Sequence, residues 1–531
     1  MKTRAASALA ILLSLVTVAS AQEAPQRYLV ATSRPFRAGA DVATFRSVDG
    51  FAASLTSSEV AELRRNASVR WIEPVVERHA FAQAARNPNT QTTPYGVDLI
   101  EARPSWVAKR AGITNVVVID TGIDYHHPEL LGVYAGGRNF VSANDDPLDD
   151  AGHGTHVSGT IAASNNNSGV VGVAPDVRLW ALKVLDDTGS GSSENVIKAV
   201  DWIIAKKAAL GGNWIANLSL GSPQSSELER AAFGRGAAAG ILFIAASGND
   251  STAAIPAPVS FPAGYDGVVA VGAIDDAKAL ASFSNQGPQI DVVAPGVEVL
   301  STLPIGNGVI AWLAKNNVTY GGAGLTGAKR GRVTGQYVYC GLGNPNEIPA
   351  SVAGKIALIK RGELRFGEKA KNAKEAGAIG VAIFNHDTSA MNWTLINAED
   401  PATSLYEWPV TIGLTKADGE LLAQQAGGTI TIANEADDYG VYSGTSMASP
   451  HVVGAAALLW SVAPNAKPAE ITAALVATAT DLGAPGHDNV FGAGLINVVA
   501  AMKRLAPGSL DQLTPAPVTG PTTGRRIGKR G

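Results

Sequence analysis

Three residues of this 531-residue sequence carry the side chains that a nucleophilic hydrolysis needs. Asp120 follows an apolar run at 116–119, His153 lies in a glycine-rich segment at 152–160, and Ser446 precedes an apolar stretch at 451–460. A serine hydroxyl is a weak nucleophile, so it needs a base that takes its proton and an acid that orients the base. The three residues therefore supply a full set for acyl transfer through a covalent intermediate.

The elements around these residues predict an α/β fold. Apolar runs without polar alternation, at 116–119, 180–185, 215–220 and 241–244, alternate with helical patterns at 194–207 and 226–239. Such runs are typical of parallel strands whose two faces are both covered by helices. Asp120 would then lie at the carboxyl end of a strand, where open parallel sheets bind their ligands.

Three long motifs carry a family resemblance. They are VIDTGID at 118–124, HGTHVSGT at 153–160 and GTSMASPHV at 444–452. These strings, and their order Asp, His, Ser along the chain, closely resemble the subtilisin-like serine proteases, the subtilases of peptidase family S8. The resemblance covers residues 91–304 and 439–503, with TPYGV at 93–97 matching the mature N-terminus of the family. It implies a three-layer fold with a mostly parallel sheet.

The resemblance also implies a role for each motif residue. Ser446 would attack the peptide carbonyl, His153 would accept its proton, and Asp120 would hold the imidazole tautomer. Asn249, in AASGN at 245–249, would form the oxyanion hole with the Ser446 backbone N–H. His156 is interpreted as a packed helix residue. Cleavage is expected to rise through about pH 6 to 7 as His153 becomes neutral.

The family binds protein substrates as an added extended strand, and the resemblance implies the segments that do so. The predicted substrate-binding residues are Ser190, Gly191, Ser192, Ser219, Leu220, Gly221, Ala246, Ser247, Gly248 and Ser260. Ser260 matches the base of the primary specificity pocket and is uncharged, which favours apolar or medium-sized P1 side chains. Asp250, at the pocket rim, leaves a basic P1 residue as the alternative.

A structural calcium site is the third implication of the resemblance. The loop at 165–175 aligns without gaps, counted from His153, with the calcium loop of the family. The implied oxygen ligands are the side chains of Gln91, Glu129 and Asn166 and the carbonyls of Ser164, Ser168 and Val170. Glu129 departs from the Asp that the family often has, and the longer side chain could weaken the site. A polar loop without a metal is the alternative.

Composition excludes several other classes of protein. The net charge is −4, from 46 acidic and 42 basic residues, so no overall basic field favours nucleic acid or an anionic membrane. The single cysteine, Cys340, rules out an intramolecular disulfide. The remaining stability must come from large cores or bound ions, and the expected partners are protein or peptide substrates.

The chain divides into five predicted segments. Residues 1–21 are typical of a secretory signal peptide, with Lys2 and Arg4, an apolar run at 5–18 and a cut after Ala21, which predicts a secreted, extracellular or periplasmic protein. Residues 22–89 resemble the inhibitory propeptide of subtilisins, which would act on the chain's own catalytic domain as a small α+β unit. The catalytic domain is split into 90–303 and 439–505. The tail, 506–531, is predicted to be disordered.

The catalytic domain is interrupted by residues 304–438, which are too many for a loop. The strings GKIALIKRG at 354–362 and AGAIGVAI at 376–383 resemble the protease-associated (PA) domain, a β-rich module. Two other functions remain open from the sequence. One is a catalytically silent peptide-binding module. The other is a metallohydrolase built on His126, His127, His153 and His156, although no HExxH spacing is present.

Overall fold

The computed structural model describes residues 26–32, 43–44, 50–66, 68–74, 91–108, 113–142, 144–252, 254–316, 318–387, 393–397, 399–425 and 427–510. The predicted signal peptide and residues 511–531 of the predicted tail lie outside these residues. Contacts divide the chain into two units, Met1–Phe81 and Ala82–Gly531, which are considered separately.

The described residues of the first unit form a four-stranded sheet and one helix. Its elements are β1 (Gln26–Thr32), β2 (Ala43–Thr44), β3 (Gly50–Leu55), the helix Ser57–Leu63 and β4 (Val69–Pro74). The strand order is β2-β3-β1-β4, and β1 is antiparallel to both β3 and β4. The helix thus crosses from β3 to β4 around the central β1. Thr56 caps this helix in a capping box with Glu59.

The second unit begins with the elements that build its main sheet. They are the helices Tyr95–Leu99, His153–Ala162, Ser193–Leu210 and Glu227–Ala238, the 3-10 helix Arg103–Val107, and the strands β5 (Asn115–Asp120), β6 (Tyr134–Asn139), β7 (Arg178–Lys183), β8 (Trp214–Leu218), β9 (Ile241–Ala246), β10 (Val268–Ile274), β11 (Ile290–Pro295) and β12 (Val299–Thr302).

Seven of these strands form one sheet in the order β11-β10-β9-β8-β5-β7-β6. Every neighbouring pair is parallel, which confirms the predicted α/β fold. Strands β5, β8 and β9 are buried at each residue, as expected when both faces are covered. The strand order reverses at β5, which ends at Asp120. A ligand crevice is expected at such a switch point.

A seven-stranded barrel interrupts this unit. Its strands are β13 (Gly308–Lys315), β14 (Val318–Gly324), β15 (Gly331–Tyr339), β16 (Ile356–Lys360), β17 (Gly380–Phe384), β18 (Thr411–Leu414) and β19 (Thr429–Asp437), with the helices Phe366–Glu375, Ala402–Leu405 and Lys416–Gln424 and the 3-10 turn Ala350–Val352. The barrel closes in the order β13-β14-β18-β17-β16-β15-β19 and has hydrophobic clusters separate from the main core. The predicted β-rich insert is therefore a folded domain.

The chain returns from the barrel to the main sheet through one strand. The remaining elements are β20 (Tyr439–Tyr442) and the helices Thr445–Val462, Pro468–Ala477 and Val498–Leu505. β20 pairs antiparallel with β12, so the two strands that flank the insert form a ribbon. The helix Thr445–Val462 is almost entirely buried and packs on β8, β9, β10 and β11. The N-terminal end of this helix, which contains Ser446, therefore lies at the middle of the sheet.

Candidate active site

The first pair of the candidate site joins the end of β5 to the start of a helix. Nδ1 of His153 lies 2.7 Å from Oδ1 of Asp120. The Asp120 side chain is fully buried, and 30% of the His153 side chain is exposed. The backbone N–H of Thr121 also donates to Asp120 Oδ1, at 2.7 Å. An ionised carboxylate can only accept, so Nδ1 carries the proton and Nε2 is left as the basic nitrogen.

The proton affinity of His153 reflects two opposing effects. Burial lowers the pKa of the imidazole, but the charge of Asp120, the hydrogen bond to it and the charge of Asp149 together raise the pKa above its ordinary value of 6.5. A base whose conjugate acid is stabilised in this way is suited to take a proton from a weak acid such as a serine hydroxyl.

Ser446 is the second residue of the helix Thr445–Val462, which packs against the helix that carries His153. Its hydroxyl donates to the carbonyl of Ser219 at 3.1 Å. The Ser219 hydroxyl in turn donates to the Ser446 carbonyl at 2.7 Å. Two reciprocal bonds thus fix the segment around Ser446 to the end of β8, where Ser219 follows the last strand residue. The backbone N–H of Ser446 belongs to the first turn of a helix, where N–H groups have no intrahelical acceptor.

Asn249 lies beside this helix start, on the turn that follows β9. Its Oδ1 accepts from the backbone N–H of Thr445 at 2.8 Å and from Thr445 Oγ1 at 2.9 Å. The amide nitrogen is therefore directed away from Thr445. A methyl group built on Gly444 would lie 3.4 Å from Asn249 Nδ2 and 3.6 Å from the Ser446 backbone nitrogen. The two donors predicted for an oxyanion hole thus border the same space.

The predicted substrate segments differ in how free their backbones are. Ser190 is engaged in its own turn, because its carbonyl accepts from the Asp186 N–H at 2.8 Å and its N–H donates to Asp186 Oδ1 at 3.0 Å. The Ser192 hydroxyl accepts from the Asn195 N–H and caps the helix Ser193–Leu210. These hydrogen bonds fix the shape of the turn that carries the predicted residues Ser190 and Ser192. Gly191 bridges to Leu185 at the foot of this turn.

On the other flank, Ser219, Leu220 and Gly221 follow β8. Ala246 is the last residue of β9, and Ser247 and Gly248 follow it. Ser260 and Phe261 join the two segments: the Ser260 N–H donates to the Ser247 carbonyl at 2.9 Å, and the Phe261 N–H donates to the Ser222 carbonyl at 2.8 Å. Gly248 has a φ of +108°, and a Cβ there would lie 2.7 Å from Ser260 Oγ. The structure thus brings these predicted residues together at the carboxyl ends of β8 and β9.

Two residues that sequence reasoning missed organise this corner. Thr445 orients the Asn249 amide as described above, and its position directly before Ser446 was the available signal. Asn285 is buried, accepts from the Asp250 and Ser251 N–H groups, and donates to Asp250 Oδ2 at 3.0 Å and to the Pro258 carbonyl at 2.9 Å. The Asp250 carboxylate is therefore held by an amide. No sequence pattern marked Asn285, because its partners, at 250–251 and 258, are distant from it in sequence.

Two of the other predicted histidines, His156 and His127, are buried and serve packing. His156 is fully buried, lies 3.0 Å from the Val299 carbonyl through Nε2 and stacks on Tyr442. Burial lowers its pKa to about 3. His127 Nε2 lies 3.0 Å from the Asp438 carbonyl. Over the part of the chain that the structure describes, no group of three or more His, Cys, Asp or Glu side chains is placed to hold a metal.

The loop predicted to bind calcium is assembled around Glu129. The buried carboxylate accepts from Asn166 Nδ2 at 3.0 Å and from the Tyr439 hydroxyl at 2.9 Å. Gln91 Nε2 donates to the Ser164 carbonyl at 2.8 Å, and Asn166 Oδ1 accepts from the Ser168 N–H at 2.9 Å. Val170 bridges to Thr92 beside Gln91. The six residues that carry the predicted groups therefore lie close together, with Gln91 and Glu129 packed against the loop 164–170.

This donor set fits Ca²⁺ in its chemistry, since it combines one carboxylate with amide and carbonyl oxygens. Several of these oxygen-bearing groups already take part in hydrogen bonds within the protein. The amide oxygen of Asn166 already accepts a backbone bond, and the Gln91 amide presents its nitrogen to Ser164. A cation at this loop would compete with the hydrogen bonds that Glu129 and these amides make with each other.

Comparison with known families identifies the chain. The profile of the subtilase family matches residues 113–323 and 403–494, more than half of the chain. The chain belongs to the subtilase family. A profile of the PA domain matches residues 333–422, inside the barrel. The site just described thus lies in a subtilase catalytic domain into which a PA domain is inserted.

Three similar proteins illustrate the match. Subtilisin E of Bacillus subtilis (strain 168) is 39% identical over 264 residues, 49% of this chain and 65% of its own. Subtilisin DY of Bacillus licheniformis is 43% identical over 215 residues, 40% of this chain and 76% of its own. The crystal structure of the psychrophilic subtilisin-like protease Apa1 from the Antarctic psychrotroph Pseudoalteromonas sp. AS-11 has a TM-score of 0.60 at 32% identity, covering 79% of this chain and 99% of that one. The match to subtilisin E thus spans just under two thirds of that protein.

Proposed function

We propose that this subtilase is a secreted serine endopeptidase that hydrolyses peptide bonds of proteins. The observation that carries the proposal is the convergence of two arrangements at the carboxyl edge of one parallel sheet. The first is the 2.7 Å contact between Asp120 and His153, and the second is the pair of donors, Asn249 Nδ2 and the Ser446 N–H, that border Gly444. A base with a free Nε2 and a preformed oxyanion hole are the two requirements of acyl transfer from a peptide.

In this proposal the Ser446 hydroxyl turns from the Ser219 carbonyl toward His153 when a substrate is bound. His153 Nε2 removes the proton as Ser446 Oγ attacks the scissile carbonyl carbon, and Asp120 stabilises the imidazolium that forms. The carbonyl oxygen becomes an oxyanion and accepts from Asn249 and the Ser446 N–H. His153 then gives its proton to the leaving amine, and water hydrolyses the acyl-enzyme with His153 again as the base.

Substrate recognition in the proposal uses the segments at the ends of β8 and β9. Ser219–Gly221 offers an edge on which an extended peptide can be added as a strand. Ser260 at the pocket base carries no charge, and the Asp250 carboxylate is bound by Asn285. We therefore favour apolar or medium-sized P1 residues over basic ones.

Two further functions are proposed for the flanking parts. Residues 1–21 direct secretion with cleavage after Ala21, and residues 22–89 act as an inhibitory propeptide, so that the protein is made as a zymogen. No helix within the described residues is long and apolar enough to cross a membrane. Ca²⁺, where bound, would be held by Glu129, Asn166, Gln91 and the loop carbonyls, and would supply a structural cross-link between segments distant in sequence.

The test compares the wild type with Ser446→Ala. The variant should lose casein cleavage by a factor on the order of 10⁶ and should lose labelling by a fluorophosphonate. Intact mass and N-terminal sequencing of the secreted protein provide the second readout, because Ser446→Ala should retain the propeptide that the wild type removes. Casein cleavage retained by Ser446→Ala would rule out the serine mechanism. Labelling without cleavage of any protein would instead leave a reactive serine that is not an endopeptidase.

A further inference from the structure

A second buried carboxylate lies behind the catalytic pair. Asp149 is 5% exposed, and its two oxygens accept five hydrogen bonds. Oδ1 accepts from Thr121 Oγ1 at 2.8 Å and from the N–H groups of Ala151 and Gly152 at 3.0 and 2.9 Å. Oδ2 accepts from the Thr155 N–H at 2.8 Å and from its hydroxyl at 2.6 Å. An ionised carboxylate, which only accepts, matches this set of donors.

These bonds connect the two elements that carry the Asp120–His153 pair. Thr121 follows Asp120 directly, and its hydroxyl both donates to Asp149 and accepts from the Gly154 N–H at 2.8 Å. Gly154 is the residue after His153. The Thr121 hydroxyl therefore binds the N–H that follows His153, at Gly154, and Asp149 binds the N–H that precedes it, at Gly152. Together they join the end of β5 to the first turn of the helix His153–Ala162.

The helix needs this cap for a local reason. Its N-cap residue is Gly152, which has a φ of +101° and no side chain that could accept from the first turn. A helix N-terminus leaves N–H groups unpaired and favours a negative charge. Asp149 supplies both the acceptor and the charge. A displacement of this turn would move His153 relative to Asp120 and Ser446, and misplacement by about 1 Å can cost 10²-fold in rate.

Other charged groups around the imidazole are few. Lys183 donates to the Thr121 carbonyl at 2.7 Å, but Asp150 pairs with the same ammonium at 2.7 Å. His156, on the next turn, is held neutral by burial at ordinary pH. Asp124, at the far end of the same motif, accepts from the Ile305 N–H at 2.9 Å. Asp120 and Asp149 are thus the two negative charges whose attraction raises the pKa of His153.

We propose that Asp149 is a positioning residue for the hydrolytic reaction: its carboxylate locks the strand that ends in Asp120 to the helix that begins with His153, and it adds a second negative charge behind the imidazole. The proposal rests on the proposed function, but part of it concerns the state of His153 and can be measured without catalysis.

Two variants separate the two effects of Asp149. Asp149→Asn removes the charge and turns one acceptor into a donor. Thr121→Val keeps the charge and removes the hydroxyl that joins Asp149 to Gly154. The matched control is Asp145→Asn, which removes a charge from the same loop on a side chain that is 80% exposed. The readouts are kcat/KM against pH on a chromogenic peptide anilide, and NMR titration of His153 in the full chain carrying Ser446→Ala.

Asp149→Asn should lower the titration midpoint of His153 by about half a pH unit or more. It should also lower kcat/KM at the optimum by about 10- to 100-fold. Thr121→Val should lower kcat/KM by about tenfold with an unchanged midpoint. Asp145→Asn should change neither quantity to that extent.

The proposal fails if Asp149→Asn and Asp145→Asn give the same midpoint and the same kcat/KM. It also fails if Asp149→Asn unfolds the protein while Thr121→Val retains wild-type activity, because the carboxylate would then serve stability alone. A shifted His153 midpoint in a chain that cleaves no protein would contradict the proposed function and leave the electrostatic role of Asp149 intact.

Discussion

Two polar regions of the second unit each contain a buried carboxylate, Asp120 in one and Glu129 in the other. They differ in the groups that are hydrogen-bonded to that carboxylate. Asp120 is bonded to an imidazole that can change its charge and that reaches solvent with 30% of its side chain. Glu129 is bonded to an amide and a phenol, Asn166 and Tyr439, which stay neutral at ordinary pH. The first region can transfer a proton, and the second can only hold segments together. The chemistry therefore depends on the titration and exposure of the partner rather than on the buried acid.

Among the changes to these two regions, the largest effect is expected where the acid of the first region is neutralised. Asp120→Asn should reduce kcat by about 10⁴-fold, because an amide can favour the wrong imidazole tautomer while leaving the packing intact. The measurement is steady-state hydrolysis of a chromogenic peptide, with Asp266→Asn, an exposed carboxylate, as the control. A loss below tenfold would mean that Asp120 does not orient His153.

The second-largest loss of activity is expected when the predicted oxyanion donor is removed. Asn249→Ala should reduce kcat by about 10²- to 10³-fold with little change in KM, since its amide acts on charge that develops only in the transition state. Asn307→Ala, on an exposed turn, is the matched control. If KM rose while kcat stayed constant, Asn249 would bind the substrate and would not stabilise the oxyanion.

The pH profile tests the electrostatic side of the comparison. The neutral form of His153 is the active base, so kcat/KM should rise with pH through the pKa of the free enzyme. Because Asp120 and Asp149 outweigh burial and raise that pKa, the midpoint should lie above the ordinary 6.5. Rates from pH 5 to 9 measure it. A flat profile, or a midpoint below 6.5, would contradict the charge balance described here.

The smallest effect is expected in the second region. Tyr439→Phe removes one hydrogen bond to Glu129, worth about 1 kcal/mol, and should lower the unfolding temperature by about 2–4 °C with kcat almost unchanged. Calorimetry in the Ser446→Ala background avoids self-digestion. Added Ca²⁺ should raise the unfolding temperature, and Glu129→Gln should abolish that rise. If Glu129→Gln kept the full Ca²⁺ response, the cation would bind elsewhere.

Much of this arrangement could be predicted from the sequence because it depends on local patterns. Apolar runs located β5, β8 and β9, and the glycine-rich strings located the turns after them. The hydrogen bonds of Ser190 and Ser192 could not be predicted, since a short polar loop can pair with itself or with a substrate equally well. Asn285 and Asp149 were also missed. Their importance comes from donors on several segments that only the folded chain brings together.

The ribbon of β12 and β20 has a consequence for how such a protein can arise. Thr302 and Tyr439 are partners in its register, so the chain leaves the catalytic domain and returns to it about 5 Å away. A whole domain can be inserted between two paired strands of this kind without distorting either strand. A short turn could connect the same two strands in place of the domain. Ser446 is therefore distant from His153 in the gene, although the strands on either side of the inserted barrel are paired neighbours.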